Sequence, residues 1–392
     1  MTVVLVAMVL LAIAGHFMFW IGVFNRIHAT ALSHHTIKRF EKIIFILLVT
    51  VPAAFALLVF KEARKPSFDL EAIATTNFSA TIYATLCLGV LLFGVPIWLK
   101  QRLARTTSQL KSIKSTTIRV VNPQGEPPIG DSTGRMFARI PCNELFDLTI
   151  TEKTLIIPRL PPALGGLTIA HLSDLHFTGH LDRSFFDFVV DRANEMDADL
   201  VAITGDIIDK MVCLPWVRGV LGRLRARHGV YCILGNHDRR HADVGPIRKE
   251  IVDAGMVDLG GKVVTLEIAG QTIVLAGNEA PWFPSLPDLR QVPQRTDQQP
   301  QLRVLLSHSP DQFSWGREHD FDLVLAGHTH GGQIRIPLIG PVLAPSRFGV
   351  KYASGVFSED GVVMHVSRGL SGLDPIRWNC PPELAKLILK IS

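Results

Sequence analysis

Three long apolar stretches near the N-terminus restrict the fold of this chain more than any other feature of its sequence. Residues 3–24, 43–60 and 78–99 contain no Asp, Glu, Lys or Arg. A helix of roughly 20 apolar residues crosses a hydrocarbon core, and each stretch approaches or exceeds that length. The mean hydropathy of +0.27 is high for a soluble enzyme, and the excess lies in these stretches. We therefore predict three transmembrane helices in a membrane region at residues 1–100, although the second stretch is the shortest and contains Pro52.

The cations around these stretches indicate how the helices are oriented. No Lys or Arg precedes the first stretch, whereas a cleaved signal peptide begins with a basic region, so we interpret this stretch as a retained helix. Cytoplasmic loops are enriched in Lys and Arg. The second connection holds fewer of these residues (Lys61, Arg64 and Lys65) than the first (Arg26, Lys38, Arg39 and Lys42) or the segment after the third stretch (Lys100, Arg102, Arg105, Lys111 and Lys114). We expect a multi-pass protein of the inner cell membrane with its large C-terminal region in the cytoplasm.

Charge and cysteine content exclude several other classes of protein. The formal net charge is +5, and the basic segment after the third stretch suits anionic lipid headgroups better than nucleic acid, so no nucleic-acid partner is expected. The five cysteines are scattered and no CxxC occurs, which argues against a disulfide framework and against a zinc knuckle. These patterns leave the oligomeric state open.

Beyond the membrane region the sequence changes character twice. Residues 101–140 are polar, with Ser/Thr-rich and Pro/Gly-rich patches, and we interpret them as a linker. Residues 141–392 are globular in pattern, with two helix-like stretches at 183–196 and 214–227 between the early strands. Short apolar runs typical of buried strands recur at 167–172, 200–203, 230–234, 272–275, 304–306, 323–326 and 362–366. Strand–helix alternation predicts an α/β fold with parallel pairing, and the later strands suggest a second, mixed sheet packed on the first.

Polar motifs follow five of these strands at the point where each strand ends. They are Asp174-Leu175-His176, Gly205-Asp206-Ile207-Ile208-Asp209, Gly235-Asn236-His237-Asp238, Ser307-His308 and Gly327-His328-Thr329-His330. Ligands of α/β sheets bind beyond the carboxyl ends of the strands. The D-x-H and H-x-H pairs are expected to point to one side, because extended side chains repeat every two residues. Each motif alone fits a turn or a buried core histidine, but five together predict a metal site.

The ligand types indicate which metals would bind. Carboxylate, amide and imidazole ligands together suit a borderline divalent metal, since Mg²⁺ and Ca²⁺ prefer oxygen alone and structural zinc recruits thiolates. Seven candidate ligands are too many for one ion and suit two ions that share a carboxylate: Asp174, His176, Asp206, Asn236, His308, His328 and His330. Two ions about 3.5–4 Å apart clamp the attacking and leaving oxygens of a displacement at phosphorus.

The complete pattern D-x-H, G-D-x-x-D, G-N-H-D, H and G-H-x-H resembles the calcineurin-like metallophosphoesterase superfamily from about residue 167 to the C-terminus. The GGQIRIP, SRGL and NCPPE runs resemble a bacterial branch with membrane-attached or exported phosphodiesterase-like members. The resemblance implies a four-layer αββα sandwich and Mn²⁺, Fe or Zn²⁺ as the metals. It also implies one ion held by Asp174, His176 and His330, another held by Asn236, His308 and His328, and Asp206 bridging both.

The resemblance assigns two further residues to the chemistry. His237 would protonate the leaving alkoxide, and Asp209 would orient it, with Asp238 as the alternative. We expect a metal-bridging hydroxide to attack a phosphodiester or pyrophosphate bond. Membrane tethering favours a lipid-linked substrate, and a soluble nucleotide diester is the alternative. Arg335 and Arg368 are candidates for binding the substrate phosphate, although structural pairing is an equal alternative for each.

Two non-enzymatic functions are alternatives to this one. A membrane receptor or scaffold that binds a phosphorylated ligand without turnover would not need both His237 and Asp209, which are present. A transporter would need more spans and more polar residues within them.

Overall fold

The computed structural model describes residues 2–64, 77–103, 107–296 and 299–391. The chain divides into two compact units, Met1–Ala104 and Arg105–Ser392. Lys65 of the second connection and Arg105 of the basic segment, on which the orientation argument partly depends, lie outside the described residues.

The first unit consists of long apolar helices. Within the described residues, three helices are long and apolar enough to cross a membrane: α1 (Thr2–Ile27), α2 (His34–Ala63) and α3 (Phe78–Leu103). Leu5 and Val9 of α1 pack against Val59 of α2. Most of the other large apolar side chains point outward, as Leu57 does with 72% exposure, and form a surface that lipid would cover. The three predicted helices are therefore present, and α2 continues through Pro52.

The second unit is built on two sheets. One sheet contains, in spatial order, β1 (Leu110–Arg119), β2 (Asp147–Ile156), β15 (Glu383–Lys390), β3 (Thr168–Leu172), β4 (Leu200–Thr204), β5 (Val230–Ile233) and β6 (Val257–Asp258). The other contains β13 (Gly355–Glu359), β14 (Val362–Val366), β10 (Leu323–Ala326), β9 (Gln301–Ser307), β8 (Gln271–Asn278) and β7 (Val263–Ile268). A separate hairpin joins β11 (Arg335–Ile336) to β12 (Gly340–Pro341). The helices are α4 (Ser132–Ala138), α5 (Arg183–Glu195), α6 (Pro215–Gly219), α7 (Gly245–Asp253) and α8 (Phe313–Glu318).

Alternating side chains of the strands create the layers. In β10, Leu323 and Leu325 enter the core between the two sheets, whereas Val324 and Ala326 face the other way, toward α8. On the first sheet, Ala170 faces the core that this sheet forms with helices α5, α6 and α7. The order helix, sheet, sheet, helix is the four-layer αββα sandwich that the resemblance implies, with mixed sheets.

Parallel pairing brings the motif-bearing strand ends together. β3, β4 and β5 run parallel in the first sheet, and β9 and β10 run parallel in the second. Their carboxyl ends therefore lie at one edge of each sheet.

The structure corrects two predicted elements. The helix predicted at 214–227 is reduced to α6 and a short turn at Leu221–Arg223, because Gly219 and Gly222 weaken helix propagation there. The linker predicted at 101–140 contains β1, paired antiparallel with β2, and α4. Its Ser, Thr and Lys residues belong to an exposed edge strand, where polar side chains discourage pairing with other chains. Residues 104–106 of this linker lie outside the described residues.

Candidate metal centre

Acidic and histidine side chains from both sheets converge at the shared strand edge. Their ligand atoms form three overlapping clusters in which all atoms lie within 4.8 Å of one another. The clusters are Asp174, His176, Asp206 and His330; Asp206, His308 and His328; and His176, Asp209 and His237. Asp206 belongs to the first two. The side-chain oxygen Oδ1 of Asn236 lies 3.0 Å from Nε2 of His308, which places Asn236 beside the second cluster.

Left-handed backbone conformations end the motif strands. The φ angles are 53° at Asp174, 48° at His176, 54° at Asp206, 70° at His328 and 51° at His330. The expectation that the D-x-H and H-x-H pairs are extended is therefore wrong for both pairs. A residue other than glycine in this region costs roughly 1–2 kcal/mol, so the surrounding structure must hold it. Two backbone hydrogen bonds do so between the first two motifs, from Asp174 N to Gly205 O (3.1 Å) and from His176 N to Asp206 O (2.9 Å).

The glycines that precede the ligands permit a close approach of chain segments. A Cβ atom at Gly235 would lie 2.7 Å from Nε2 of His308 and 2.6 Å from the backbone nitrogen of Asp206. A Cβ atom at Gly327 would overlap Oγ of Ser173. A side chain at either of these two glycines would therefore collide with residues of the centre.

The orientation of the histidines leaves their lone pairs facing one another. His330 donates from Nδ1 to the Ser371 carbonyl (3.0 Å), and His176 donates from Nδ1 to Asp209 (2.7 Å). When both rings are neutral, both Nε2 atoms are acceptors, and they lie 3.1 Å apart. His308 likewise donates from Nδ1 to the Thr204 carbonyl (2.6 Å), while its Nε2 lies 3.2 Å from Oδ2 of Asp206.

Ring nitrogens and carboxylate oxygens packed this closely need either protons or a metal cation between them. A divalent cation among them satisfies imidazole and carboxylate lone pairs together, and the Nδ1 bonds fix each ring in the ligating tautomer. The residues present therefore fit a metal site.

The pKa shifts of His308 and Asp206 also indicate a pocket that favours positive charge. Burial lowers the pKa of His308, but Asp206 and Asp174 more than reverse this and raise it to about 9. Burial raises the pKa of Asp206, but His308, His237 and His176 hold it well below its usual range. Asp206 is thus ionised, and the pocket favours cations.

His237 belongs to the third cluster and is held by Asp209. Its Nδ1 is 2.5 Å from Oδ1 of Asp209, whose other oxygen accepts from His176. The two histidines hold the pKa of Asp209 far below its usual range, against the effect of burial. Asp238, the alternative partner, instead accepts backbone N–H groups of Ile207, Ile208 and Gly235.

Both predicted phosphate-binding arginines lie next to Gly331, which follows His330. A Cβ atom at Gly331 would lie 2.9 Å from Cγ of Arg368 and 3.0 Å from Nη2 of Arg335. Arg335 donates to the Gly331 carbonyl (2.8 Å) and to Ser354 Oγ (2.5 Å). Nε of Arg368 lies 3.4 Å from Oε2 of Glu383. Both guanidinium groups therefore have partners within the protein.

Arg377 is a site residue that the sequence analysis missed. Its side chain is 1% exposed and donates to the carbonyls of His330 (3.1 Å), Arg368 (2.6 Å) and Ser371. It thereby fixes the segment that carries the Nδ1 partner of His330. Its position within the RWNCPPE run was the available signal.

Comparisons with known proteins agree with this geometry. Residues 167–332 match the calcineurin-like phosphoesterase family. The chain is 31% identical over 254 residues to the uncharacterized metallophosphoesterase YkuE of Bacillus subtilis, covering 61% of this chain and 85% of that protein. It is 28% identical over 228 residues to phosphodiesterase YaeI of Escherichia coli, covering 56% and 81%. It is 24% identical over 388 residues to a transmembrane protein with metallophosphoesterase domain of Bos taurus, covering 94% and 84%. The chain belongs to the calcineurin-like metallophosphoesterases, which are metal-dependent phosphoric ester hydrolases.

Proposed function

We propose that this chain is a membrane-anchored phosphoesterase with two divalent metal ions that hydrolyses phosphodiester or pyrophosphate bonds. The observation that carries the proposal is the position of Asp206, which belongs to two adjacent ligand clusters. Asp174, His176 and His330 would hold one ion, Asn236, His308 and His328 the other, and Asp206 would bridge them. Mn²⁺, Fe or Zn²⁺ suits this mixture of imidazole, amide and carboxylate.

The residues of the chain divide the work of the reaction. Bound ions would supply positive charge at the phosphate oxygens and a water of lowered pKa. Asp209 holds Nδ1 of His237, which leaves Nε2 to donate a proton to the departing oxygen. Arg335 and Arg368, which meet at Gly331, are the proposed contacts of the substrate phosphate.

We place the protein in the inner membrane with its second unit in the cytoplasm, and we propose a lipid-linked phosphate as substrate. The three apolar helices and the distribution of cations support the location, and tethering to a membrane supports the substrate class. Alkaline phosphatase fused after residue 391 should be inactive and a cytoplasmic reporter at the same position active. The reverse result would place the second unit outside.

The enzyme class is tested with the full chain in detergent. After loading with Mn²⁺, we expect hydrolysis of bis-p-nitrophenyl phosphate that exceeds hydrolysis of p-nitrophenyl phosphate and stops on chelation. His237→Ala and Asn236→Ala should both lose it, whereas His228→Ala, at an exposed position, should retain it. Metal binding without turnover of either ester or of a lipid diphosphate would support a phosphate-binding receptor instead.

A further inference from the structure

An ordered apolar hairpin extends from the metal centre. β11 begins five residues after His330, and the hairpin and its flanks expose a series of large aliphatic side chains. Their exposed fractions are 38% for Ile334, 40% for Ile336, 92% for Leu338, 46% for Ile339 and 46% for Leu343. We call these five residues together with Trp378, which is 44% exposed, the apolar hairpin surface. Contiguous exposed apolar groups on this scale mark interaction sites.

Hydrogen bonds fix the base of this surface. Arg335 N donates to the Trp378 carbonyl (2.9 Å), and Trp378 N donates to the Gln333 carbonyl (3.1 Å). The amide of Asn379 also donates to the Arg335 carbonyl (3.0 Å). The apolar groups are thus presented by a held backbone that is continuous with His330.

The tip of the hairpin breaks the usual rules for a turn in water. Leu338 has a φ of 66° and is the most exposed large apolar residue of the second unit among those described. Turn positions with this conformation favour Gly, Asn or Asp. The left-handed conformation is unfavourable for leucine, and an exposed side chain gains no packing within the protein that would offset this cost. We therefore look for the compensating contact in an apolar phase outside the protein.

The charge pattern and the rest of the chain identify that phase. Residues 330–356 contain Arg335, Arg347 and Lys351 and no Asp or Glu. Lys351 pairs with Glu359 (2.8 Å), whereas Arg347 stays 60% exposed near Asp311, and an exposed cation close in sequence to apolar groups favours an anionic lipid surface. Tryptophan is enriched at the membrane–water boundary. The chain also carries three helices that are long and apolar enough to cross a membrane, so the proposed attachment would keep a bilayer beside the second unit.

We infer that the apolar hairpin surface inserts into the headgroup–acyl boundary of the membrane that the helices occupy. Insertion places the loop that carries His330 at the bilayer surface. A phosphate at that depth belongs to a lipid or a lipid-linked molecule. The inference rests on the proposed membrane attachment and deepens the proposed substrate class.

Depth of insertion is measurable without turnover. The full chain is reconstituted in vesicles of phosphatidylethanolamine and phosphatidylglycerol, with a nitrobenzoxadiazole label on Leu338→Cys. Cys142→Ser removes the exposed thiol, since the other cysteines are buried. The matched control is Val252→Cys, an apolar residue 57% exposed on α7 beside the charged residues Glu250 and Asp253.

We expect the label at 338 to be quenched by acyl-chain nitroxide lipids and to be several-fold less accessible to aqueous iodide than the label at 252. Ile336→Asp with Ile339→Asp should return the 338 label to water. Equal iodide quenching at both positions would overturn the inference. So would a label shielded from iodide but not quenched by lipid nitroxides, since protein would then cover it.

The diester assay on the same labelled protein separates the two proposals. Retained hydrolysis shows that the labelled protein is folded. A lipid-embedded label in a protein that binds metal but hydrolyses nothing would uphold the insertion and count against the proposed reaction. A label exposed to water in an active enzyme would count against the insertion and uphold the proposed reaction.

Discussion

Asp209 links the proposed acid to a proposed metal ligand through its two carboxylate oxygens. One oxygen is 2.5 Å from His237 and the other is 2.7 Å from His176. The motif pattern alone implies a contact of Asp209 with His237 and none with His176. The second contact means that this carboxylate orients both rings and that its loss should affect metal binding as well as proton transfer.

Replacing Asp209 with Asn should therefore lower turnover and weaken metal binding together. Mutation of a residue that hydrogen-bonds a metal-bound histidine typically lowers metal affinity or activity by about 10- to 100-fold. We expect kcat for bis-p-nitrophenyl phosphate to fall, and the dissociation constant for Mn²⁺ to rise, by factors of that size. Asp238→Asn is the contrast, because it replaces with an N–H donor one of the two oxygens that accept the backbone N–H groups of Ile207, Ile208 and Gly235, and it should lower the melting temperature more than Asp209→Asn does. An Asp209→Asn enzyme with normal metal affinity would show that the His176 contact has no such role.

The pKa of His308 predicts how metal affinity depends on pH. Without metal this pKa is about 9, so a proton occupies the ring at neutral pH and must leave before a metal binds. Affinity should rise with pH, by up to about tenfold per unit between pH 6 and 8 for one displaced proton. Calorimetric titration with Mn²⁺ in buffers of different ionisation enthalpy should show proton release. Affinity that does not change over this range would contradict the prediction.

Sequence alone identified the residue types at the centre because each motif combines a strand end with a polar ligand. It could not predict their left-handed backbone, because φ values such as 53° at Asp174 depend on the neighbouring loop. It also missed Arg377, because the RWNCPPE run does not show that this arginine is buried and donates to the carbonyls of His330 and Arg368.

At the scale of elements, the site depends on how closely the β4 and β5 loops approach. Gly235→Ala would place a Cβ atom against Oδ1 of Asp206 and 2.7 Å from Nε2 of His308. A displacement near 1 Å at a reacting centre costs up to about 100-fold in rate. We expect such a loss of diester hydrolysis with a nearly unchanged circular dichroism spectrum. Gly222→Ala, whose Cβ would lie 3.4 Å from its nearest neighbour, is the control and should keep its activity. Equal activities would mean that the two loops separate without cost.

Element boundaries were predictable where a continuous apolar run ends in a polar motif, as in β4 (Leu200–Thr204). They were not predictable where glycines shorten a helix, as in α6, or where an exposed strand has the composition of a linker, as in β1. Strand β1 forms because β2 supplies its partner hydrogen bonds, and that long-range pairing leaves no local signal.

At the scale of the whole molecule, a buried polar network joins the two sheets behind the metal centre. Nζ of Lys153 on β2 lies 2.7 Å from Glu383 on β15 and 2.8 Å from His365 on β14. His365 contacts His171 on β3 (2.8 Å), and Thr204 completes the path. Burial lowers the pKa of His171 to about 3, so the ring is neutral. Lys153 at 2.7 Å is thus the nearer of two cations that compensate Glu383, the other being Arg368 at 3.4 Å.

Lys153→Met should destabilise the second unit, because it leaves Glu383 buried with less compensation. Breaking a buried pair costs about 3–5 kcal/mol. Lys114→Met is the control, since its side chain is 81% exposed and lies 3.9 Å from Glu152. That change should stay within about 0.5 kcal/mol. Urea unfolding of both variants in detergent, followed by tryptophan fluorescence, measures the difference, and equal midpoints would contradict the assigned role.

The overall architecture was predictable in outline. Apolar length predicted the helices, and the motif pattern implied the four-layer sandwich. The network between the sheets was not predictable, because Lys153, His365 and Glu383 are far apart in sequence and carry no shared spacing.

The most direct test of the dinuclear site is the number of metal ions bound per chain. Purified full chain, dialysed against Mn²⁺ and analysed by mass spectrometry, should hold two ions. Asp206→Ala should lose both, because this carboxylate belongs to both clusters, whereas His308→Ala should lose one and His228→Ala none. A wild-type chain that saturates at one ion, or an Asp206→Ala chain that still binds two, would contradict the account.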